Sequence, residues 1–374
     1  MTDSAPAALD FLWRRVLELA ARGRFSASPN PRVGAVVVDG SGSIVGEGWH
    51  ERAGGAHAEA VALAAAGERA KGATLLVNLE PCSHFGRTPP CTEAILAAGI
   101  ARVVCSIEDP DPRTSGRGVK RLRDRGVDVV VGACAAEAER VNEPFLTSVR
   151  LKRPFVHLKW AASLDGKTAT RTGESKWISG EAARRDALLL REEHDAILVG
   201  AGTILADDSL LTRRLALSTS VVRHRRLVLD GSLRVSPSAR VFSAAGGEVW
   251  LVTAVPQSDP RLVPFLERGV HVVSRPSRFG GVDLVALLAE LHGLEVRSLL
   301  VEGGGVTAAS FLEAGLVDRL TAYVAPKVLG GVGARMPIAG DGVGPLLDAI
   351  TLVDMEVVRI GADVRLSARR RPVA

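Results

Sequence analysis

The sequence predicts two α/β domains in one chain, and three observations lead there. The chain has 374 residues, 47% of them hydrophobic, which is more than one ordinary domain needs and enough for two cores. Short apolar runs of strand character alternate with helical stretches, the pattern of sheets with helices on their faces. Pro154, behind the charged "RLKR", marks a linker near 150–154 between two such series. Aromatic content is only 4%, so the cores must be built mainly from Ala, Val and Leu.

The first series, 1–152, opens with a helical stretch over about 7–22. "VGAVVVDG" and "SIVGEGWH" read as a strand pair joined by a Gly/Ser turn. "HAEAVALAAAG" is a helix ended by Gly67. "ATLLVNLE" is a continuous apolar strand, "TEAILAAG" a short helix, and "ARVVCSIE" and "VDVVVG" two further strands; a helix then runs to about Arg150. The second series, 153–374, offers strands at 155–163, 195–199, 226–230, 248–253, 269–273 and 297–301, with helices between several of them. From about 318 the tail reads as mostly strand.

The formal net charge is +5. A mild positive excess suits an anionic substrate, a phosphate or a nucleic acid, without choosing between them. The arginines are spread along the chain, and no block resembles a nucleic-acid tail. The N-terminal stretch carries charges inside its apolar run, so it reads as an amphipathic helix and not a signal peptide. No apolar run reaches the length of a membrane span. Cys82, Cys91, Cys105 and Cys134 make a poor disulfide framework, and a cytoplasmic protein is expected. Metal or catalytic use is the better reading of the close pair; Cys105 and Cys134 read as structural residues.

That pair stands in "PCSHFGRTPPC", downstream of "AGGAHAEAVAL". In mid-helix His57 and Glu59 would point about 200° apart. They converge on one site only if His57 sits at the helix start, where the backbone is not yet regular, and Gly54 and Gly55 permit that. His57, Cys82 and Cys91 then suit Zn²⁺, with its fourth position open to water. Glu59 is left over as the carboxylate that would carry a proton from that water to a leaving amine. A His-x-Glu, then Pro-Cys, then a second Cys is the layout of zinc nucleobase deaminases, except that eight residues stand between the cysteines here. A closed structural zinc site is the bland alternative. It would need a fourth ligand, with only His84 nearby, and would leave Glu59 without a role.

The second series holds weaker signals. Gly303, Gly304 and Gly305 follow an apolar strand and precede a helix, a turn whose backbone N–H groups suit a pyrophosphate. A tight turn that merely needs glycine explains the run equally. "DAILVGAGTILADDSLLTRR" is a second strand–glycine unit, with Thr203 and Asp207 behind its glycines and Arg213 and Arg214 as guanidinium groups for a phosphate. "SLDGKTATRTGESKWISG" has the polar, Gly-rich make-up of a binding loop, in which Trp177 packs on a cofactor or in the core.

Taken together, "SPNPRVGAVVV", "GEGWHERAGGAHAEAVAL", "NLEPCSHFGRTPPCTEAI" and "EDPDPRTSGRG" resemble the deaminase half of the bifunctional deaminase–reductase family of riboflavin biosynthesis. The second half is similar to that family's reductase. The resemblance implies a cytidine-deaminase-like three-layer domain and a dihydrofolate-reductase-like domain. It implies hydrolytic deamination of 2,5-diamino-6-(5-phosphoribosylamino)pyrimidin-4-one, then NADPH reduction of the ribosyl group to ribityl phosphate. It makes His57, Cys82 and Cys91 zinc ligands and Glu59 the proton shuttle. Asn30 would contact the pyrimidine, and His50, His84 and Arg87 the phosphoribosyl end. In the reductase it implies cofactor contacts at Ala161, Trp177, Thr203, Asp207, Gly304 and Gly305, and substrate contacts at Ser175, Arg191, Leu211, Arg214 and Glu302. Lys159 is the candidate cation at the reacting sugar; a structural ion pair is the alternative. After "RLVLD" the family commonly has Ser where Gly231 precedes Ser232, which puts one cofactor contact in doubt. A small-molecule substrate and a homo-oligomer, dimer or tetramer, are expected, without nucleic acid or membrane. Two rivals remain: a deaminase of bases in nucleic acid, disfavoured by one Tyr and nine Phe without a basic strip, and a zinc-stabilised binding protein retaining only NADPH affinity.

Overall fold

An amphipathic run near the N-terminus folds as α1 (Ser4–Ala21), and the wholly apolar "GAVVV" behind it becomes β1 (Gly34–Val38), buried over all five residues. The structure, a computed structural model, describes residues 4–86, 89–243, 247–277 and 280–371. The chain divides into two units, Met1–Lys152 with Leu217–Val222, and Arg153–Ala216 with Arg223–Ala374.

In the first unit β2 (Ile44–Trp49), α2 (Ala58–Ala66), β3 (Thr74–Val77), α3 (Cys91–Ala97), β4 (Arg102–Cys105), α4 (Arg117–Asp124), β5 (Asp128–Val131) and α5 (Ala135–Leu151) follow in turn. The sheet order is β2-β1-β3-β4-β5. Pairs β2/β1 and β1/β3 are antiparallel, while β3/β4 and β4/β5 are parallel. One core cluster joins Val37, Leu75 and Val103 to Ala62 and Ile95; a second joins Val36 and Leu76 to Trp13 and Val16 of α1. Both faces of the sheet are thus covered. Helix α2 lies so close on β2 that a Cβ at Gly48 would stand 2.3 Å from Ala58 O, and one at Gly46 2.2 Å from Ala62 O. Only glycine allows that approach, and it fixes where α2 begins.

The return of Leu217–Val222 to this unit is not legible in the sequence. Thr219 N–H donates to Phe25 O (3.0 Å) and Ser220 Oγ to Ser28 O (3.0 Å). Nor does the sequence pattern single out α4, whose "RGVKRLRD" buries only Gly118, Val119 and Leu122.

The second unit contains β6 (Phe155–Ser163), α6 (Glu181–Glu193), β7 (Ala196–Gly200), α7 (Ala201–Asp207), β8 (Arg225–Leu229), β9 (Glu248–Thr253), α8 (Val263–Leu266), β10 (His271–Ser274), α9 (Leu284–Gly293), β11 (Ser298–Glu302), α10 (Gly305–Glu313), β12 (Arg319–Ala325), β13 (Leu352–Ile360) and β14 (Asp363–Arg370). Its strands order β10-β9-β8-β7-β11-β6-β12-β14-β13. The first seven in that order are parallel, and β14 and β13 close the edge as an antiparallel pair. The expected strands all form within a few residues of their predicted bounds. The tail departs from expectation. Six glycines between 330 and 344 interrupt it, and 326–351 carries only a short 3-10 turn.

Candidate active sites

The start of α2 is built as the sequence requires. His57 is its N-cap, with extended backbone (φ −75°, ψ 158°), so its imidazole leaves the helix axis while Glu59 is carried into the interior. Cys82 follows β3, and Cys91 is the first residue of α3. Nδ1 of His57 lies 3.1 Å from Cys91 Sγ and 3.6 Å from Cys82 Sγ. The three ligand atoms lie within 4.8 Å of one another, the one such His/Cys/carboxylate group among the described residues. Tetrahedral Zn²⁺ with N and S ligands sets its N···S edges at about 3.5 Å, so the donor set and spacing fit that ion. The Cys91 thiol donates to Cys82 and holds it well below the usual thiol range; the same contact, aided by burial, keeps the Cys91 proton on. A bound cation would favour the thiolate form of both. Burial pushes the Glu59 carboxyl above its ordinary range, against the opposing pull of His57.

Asn30 and His50 meet at this site. His50 Nδ1–H donates to Ala56 O (3.0 Å), which leaves Nε2 to accept from Asn30 Nδ2 (3.0 Å). Burial lowers the His50 pKa, favouring the neutral ring that this pattern needs. The Asn30 carbonyl oxygen then remains to accept from a ligand. Two buried asparagines hold the loop in place. Asn142 Oδ1 accepts from Arg32 N–H (2.8 Å), and the amides of Asn78 and Asn142 both donate to Arg32 O (2.9 and 3.0 Å).

Glu80, missed in the sequence, organises the other side. Its buried carboxylate accepts four backbone N–H groups: Asp109 (3.2 Å), Gly116 (2.9 Å), Gly118 (2.9 Å) and Val119 (3.1 Å). It therefore starts α4 and holds the 109–116 loop, where Thr114 Oγ1 lies 3.4 Å from His84 Nδ1. Arg87 lies outside the described residues.

In the second unit, Lys159 on β6 and Glu302 at the end of β11 are register partners. Arg191 of α6 binds Glu302 in bidentate fashion (2.8 and 2.9 Å). Lys159 Nζ is 3.8 Å from Glu302 and 5.8 Å from the Tyr323 ring. Burial would raise the Glu302 carboxyl, yet Arg191 and then Lys159 hold it at about 2. Tyr323 Oη donates to Asp186 (2.7 Å), which Arg365 also engages. Lys159, Arg191, Glu302 and Tyr323 line a cavity of about 600 Å³, together with Ala161, Ser175, Trp177 and Arg214. Trp177 is 61% exposed and faces the Arg184 guanidinium at 4.5 Å, so the core alternative for it is removed.

A second cavity, of about 680 Å³, is lined by Thr203, Asp207, Gly304 and Gly305, and it shares Thr168, Ser175 and Asp207 with the first. Gly304 has φ +85°, and a Cβ on Gly305 would stand 2.8 Å from Met336 O. That bare-backbone cradle at the start of α10 fits a pyrophosphate. Two expectations fare differently. Leu211 lines neither cavity; its side chain lies in the core with Val228 and Val241. Arg213 is not a phosphate ligand in waiting, because it donates to Arg191 O (3.1 Å) and His194 O (2.7 Å), ordering the turn that presents Arg214.

Comparison with known proteins agrees with both halves. Residues 8–107 match the cytidine and deoxycytidylate deaminase zinc-binding region, and 154–366 match the RibD C-terminal domain. The riboflavin biosynthesis protein RibD of Escherichia coli is 45% identical over 367 residues, covering 96% of this chain and 98% of the relative. The chain belongs to the RibD family. The RibD of Aquifex aeolicus is 42% identical over 95% of this chain and 96% of its own. The solved RibD of Acinetobacter baumannii superposes with a TM-score of 0.85 at 34% identity, covering 98% of this chain and 99% of that one. A diaminohydroxyphosphoribosylaminopyrimidine deaminase/5-amino-6-(5-phosphoribosylamino)uracil reductase from Thermotoga maritima gives 0.81 at 33% identity, with coverage of 98% and 99%. RibD proteins are bifunctional deaminase–reductases of riboflavin biosynthesis, and this chain has both of their domains.

Replacing Glu80 by Gln would set an amide NH₂ against two backbone N–H donors, at a cost of about 1–3 kcal/mol. Amide exchange at Asp109 and Gly116 should quicken and the deaminase KM should rise, with NADPH-dependent reduction unaltered. Unchanged exchange protection there would refute this role.

Proposed function

We propose that this chain performs two consecutive reactions on one phosphoribosyl pyrimidine. The first replaces the ring amine of 2,5-diamino-6-(5-phosphoribosylamino)pyrimidin-4-one by oxygen and releases ammonia. The second reduces the ribosyl group to ribityl phosphate with NADPH. The observation that carries the reading is the convergence of His57, Cys82 and Cys91 around one point beside a buried carboxylate, Glu59. A closed structural site would leave that carboxylate idle.

His57, Cys82 and Cys91 hold Zn²⁺ in this reading. When bound, the ion would supply a water whose pKa is lowered towards neutrality. Glu59 takes a proton from the attacking water and passes it to the departing amine, a task suited to a carboxyl raised by burial. Asn30, oriented by neutral His50, reads the pyrimidine edge. His84 and Arg87 meet the phosphoribosyl end.

In the reductase Thr203, Asp207, Gly304 and Gly305 hold the dinucleotide, with Ala161 and Trp177 towards its reactive end. NADPH supplies the hydride. Arg191 keeps Glu302 ionised, and Glu302 in turn orients Lys159 towards the sugar oxygen, which Lys159 polarises and protonates as the carbon is reduced. Ser175 and Arg214 position the phosphate-bearing substrate. Leu211 contributes through its backbone, since its side chain is in the core. We further propose a homo-oligomer, dimer or tetramer, because Leu346, Leu347, Met355 and Val357 are exposed apolar side chains in the stretch that ends in edge strand β13. None of Cys82, Cys91, Cys105 and Cys134 is in a disulfide, as suits the cytoplasm. No helix among the described residues is long and apolar enough to cross a membrane.

Glu59→Gln should slow ammonia release by roughly 10²–10⁴-fold, while reduction of already deaminated substrate continues. Chelation should divide the two activities in the same way, and wild-type ammonia release by Glu59→Gln would refute the deaminase assignment. Lys159→Met leaves the Arg191–Glu302 pair intact; it should lower the reductase kcat by about 10²-fold or more with little change in substrate affinity. A fall in affinity alone would assign Lys159 to binding. Light scattering should report at least twice the chain mass, and a monomer at assay concentration would remove the oligomer.

A further inference from the structure

We propose that Tyr323 is a positioning residue for Lys159: the face of its ring forms one wall of the slot that aims the ammonium, and Glu302 forms the other. This rests on reading Lys159 as the group that polarises the sugar oxygen. Glu302 does not fix Lys159 by itself. Arg191 takes both of its carboxylate oxygens, at 2.8 and 2.9 Å, and Lys159 Nζ stands 3.8 Å away, outside hydrogen-bond reach. A lysine has a long, flexible stem, so one loose contact leaves the ammonium free to swing.

Strand order supplies the second wall. β6 lies between β11 and β12. Lys159 is the register partner of Glu302 on one side and of Thr321 on the other, and Tyr323 is the partner of Ala161. Residues two apart in a strand share a face of the sheet, so Lys159, Glu302 and Tyr323 rise from the same face. The small Ala161 leaves the diagonal from Lys159 to Tyr323 open. Lys159 Nζ lies 5.8 Å from the ring centroid, within cation–π range.

The ring is held from behind. Tyr323 is 1% exposed and packs with Ala183, Ala187 and Leu190 of α6. Its Oη donates to Asp186 Oδ2 at 2.7 Å. Arg365, the register partner of Tyr323 on β14, donates to both oxygens of Asp186, at 3.2 and 2.9 Å. Helix α6 thus supplies both ends of one arc: Asp186 fixes Tyr323, Arg191 fixes Glu302, and Lys159 lies between them. The phenol is not itself a proton donor to the sugar. Its proton is committed to Asp186, and burial, aided by that carboxylate, pushes the phenol up.

Steady-state reduction of already deaminated substrate by the full chain tests this. Tyr323→Leu removes the aromatic face and should lower kcat by about 3- to 30-fold with KM little changed. Tyr323→Phe keeps the face and should hold kcat within about two-fold of wild type. Tyr323→Met, which fills more of the space without a ring, should behave as Tyr323→Leu and replaces it if that variant does not fold. NADPH affinity should stay unaltered throughout. In the Lys159→Met background, loss of the ring should add no further fall in kcat. An undiminished kcat in Tyr323→Leu, an equal loss in Tyr323→Phe, a full additional loss on top of Lys159→Met, or a matching fall in NADPH affinity would each overturn the inference. If Lys159→Met kept wild-type kcat, the reading of Lys159 would fall first. If Lys159→Met lost kcat and neither ringless variant did, this inference alone would fall.

Discussion

Parallel strands present all their carboxyl ends along one edge, and both sites hang from such an edge. In the first unit, β3 and β4 run parallel. The chain leaving β3 supplies Asn78, Glu80 and Cys82 in five residues, and the chain leaving β4 supplies the loop that Glu80 binds. In the second unit the same rule brings Glu302 and the glycine turn at the end of β11 beside Thr203, just beyond β7. Residues far apart in sequence become neighbours because strand direction leaves them no other side.

Both sites also bury carboxylates, at a cost that their surroundings must offset. The means differ. Glu80 is satisfied by neutral backbone N–H groups, so it shapes a loop without placing a counter-charge near the first site. Glu302 is satisfied by the Arg191 guanidinium and by nearby Lys159. Glu59 has neither kind of support in full, and its raised pKa follows. Ionisation is disfavoured by burial at Glu59, the carboxyl proposed above to carry the proton, and favoured at Glu302 by its cationic neighbours.

Much of this was legible in the sequence. The His57–Glu59 spacing demanded an irregular helix start, and the N-cap geometry of His57 supplies it. Strand runs of continuous Val and Leu gave the sheets within a few residues. What escaped reading depended on partners distant in the chain. Helix α4 has a weak apolar stripe, and its start is held by a carboxylate from the end of β3. Asn78 and Asn142 look like ordinary polar residues until the fold brings both to Arg32. Arg213 and Arg214 are indistinguishable as letters, and only the turn decides that one serves backbone carbonyls. Tyr323, the chain's one tyrosine, sat in an apolar strand and could have been flagged by its hydroxyl alone.

The six residues Leu217–Val222 add a consequence for how this chain can be divided. Because they belong with the first unit while their flanks belong with the second, the polypeptide passes between units three times, at 152/153, 216/217 and 222/223. A fragment ending at Lys152 would therefore lack a piece of its own surface, and would leave Phe25 O and Ser28 O without the donors that Thr219 and Ser220 provide. The complementary fragment would carry an orphaned excursion. Two chemistries share the chain, yet a single cut does not return two complete proteins.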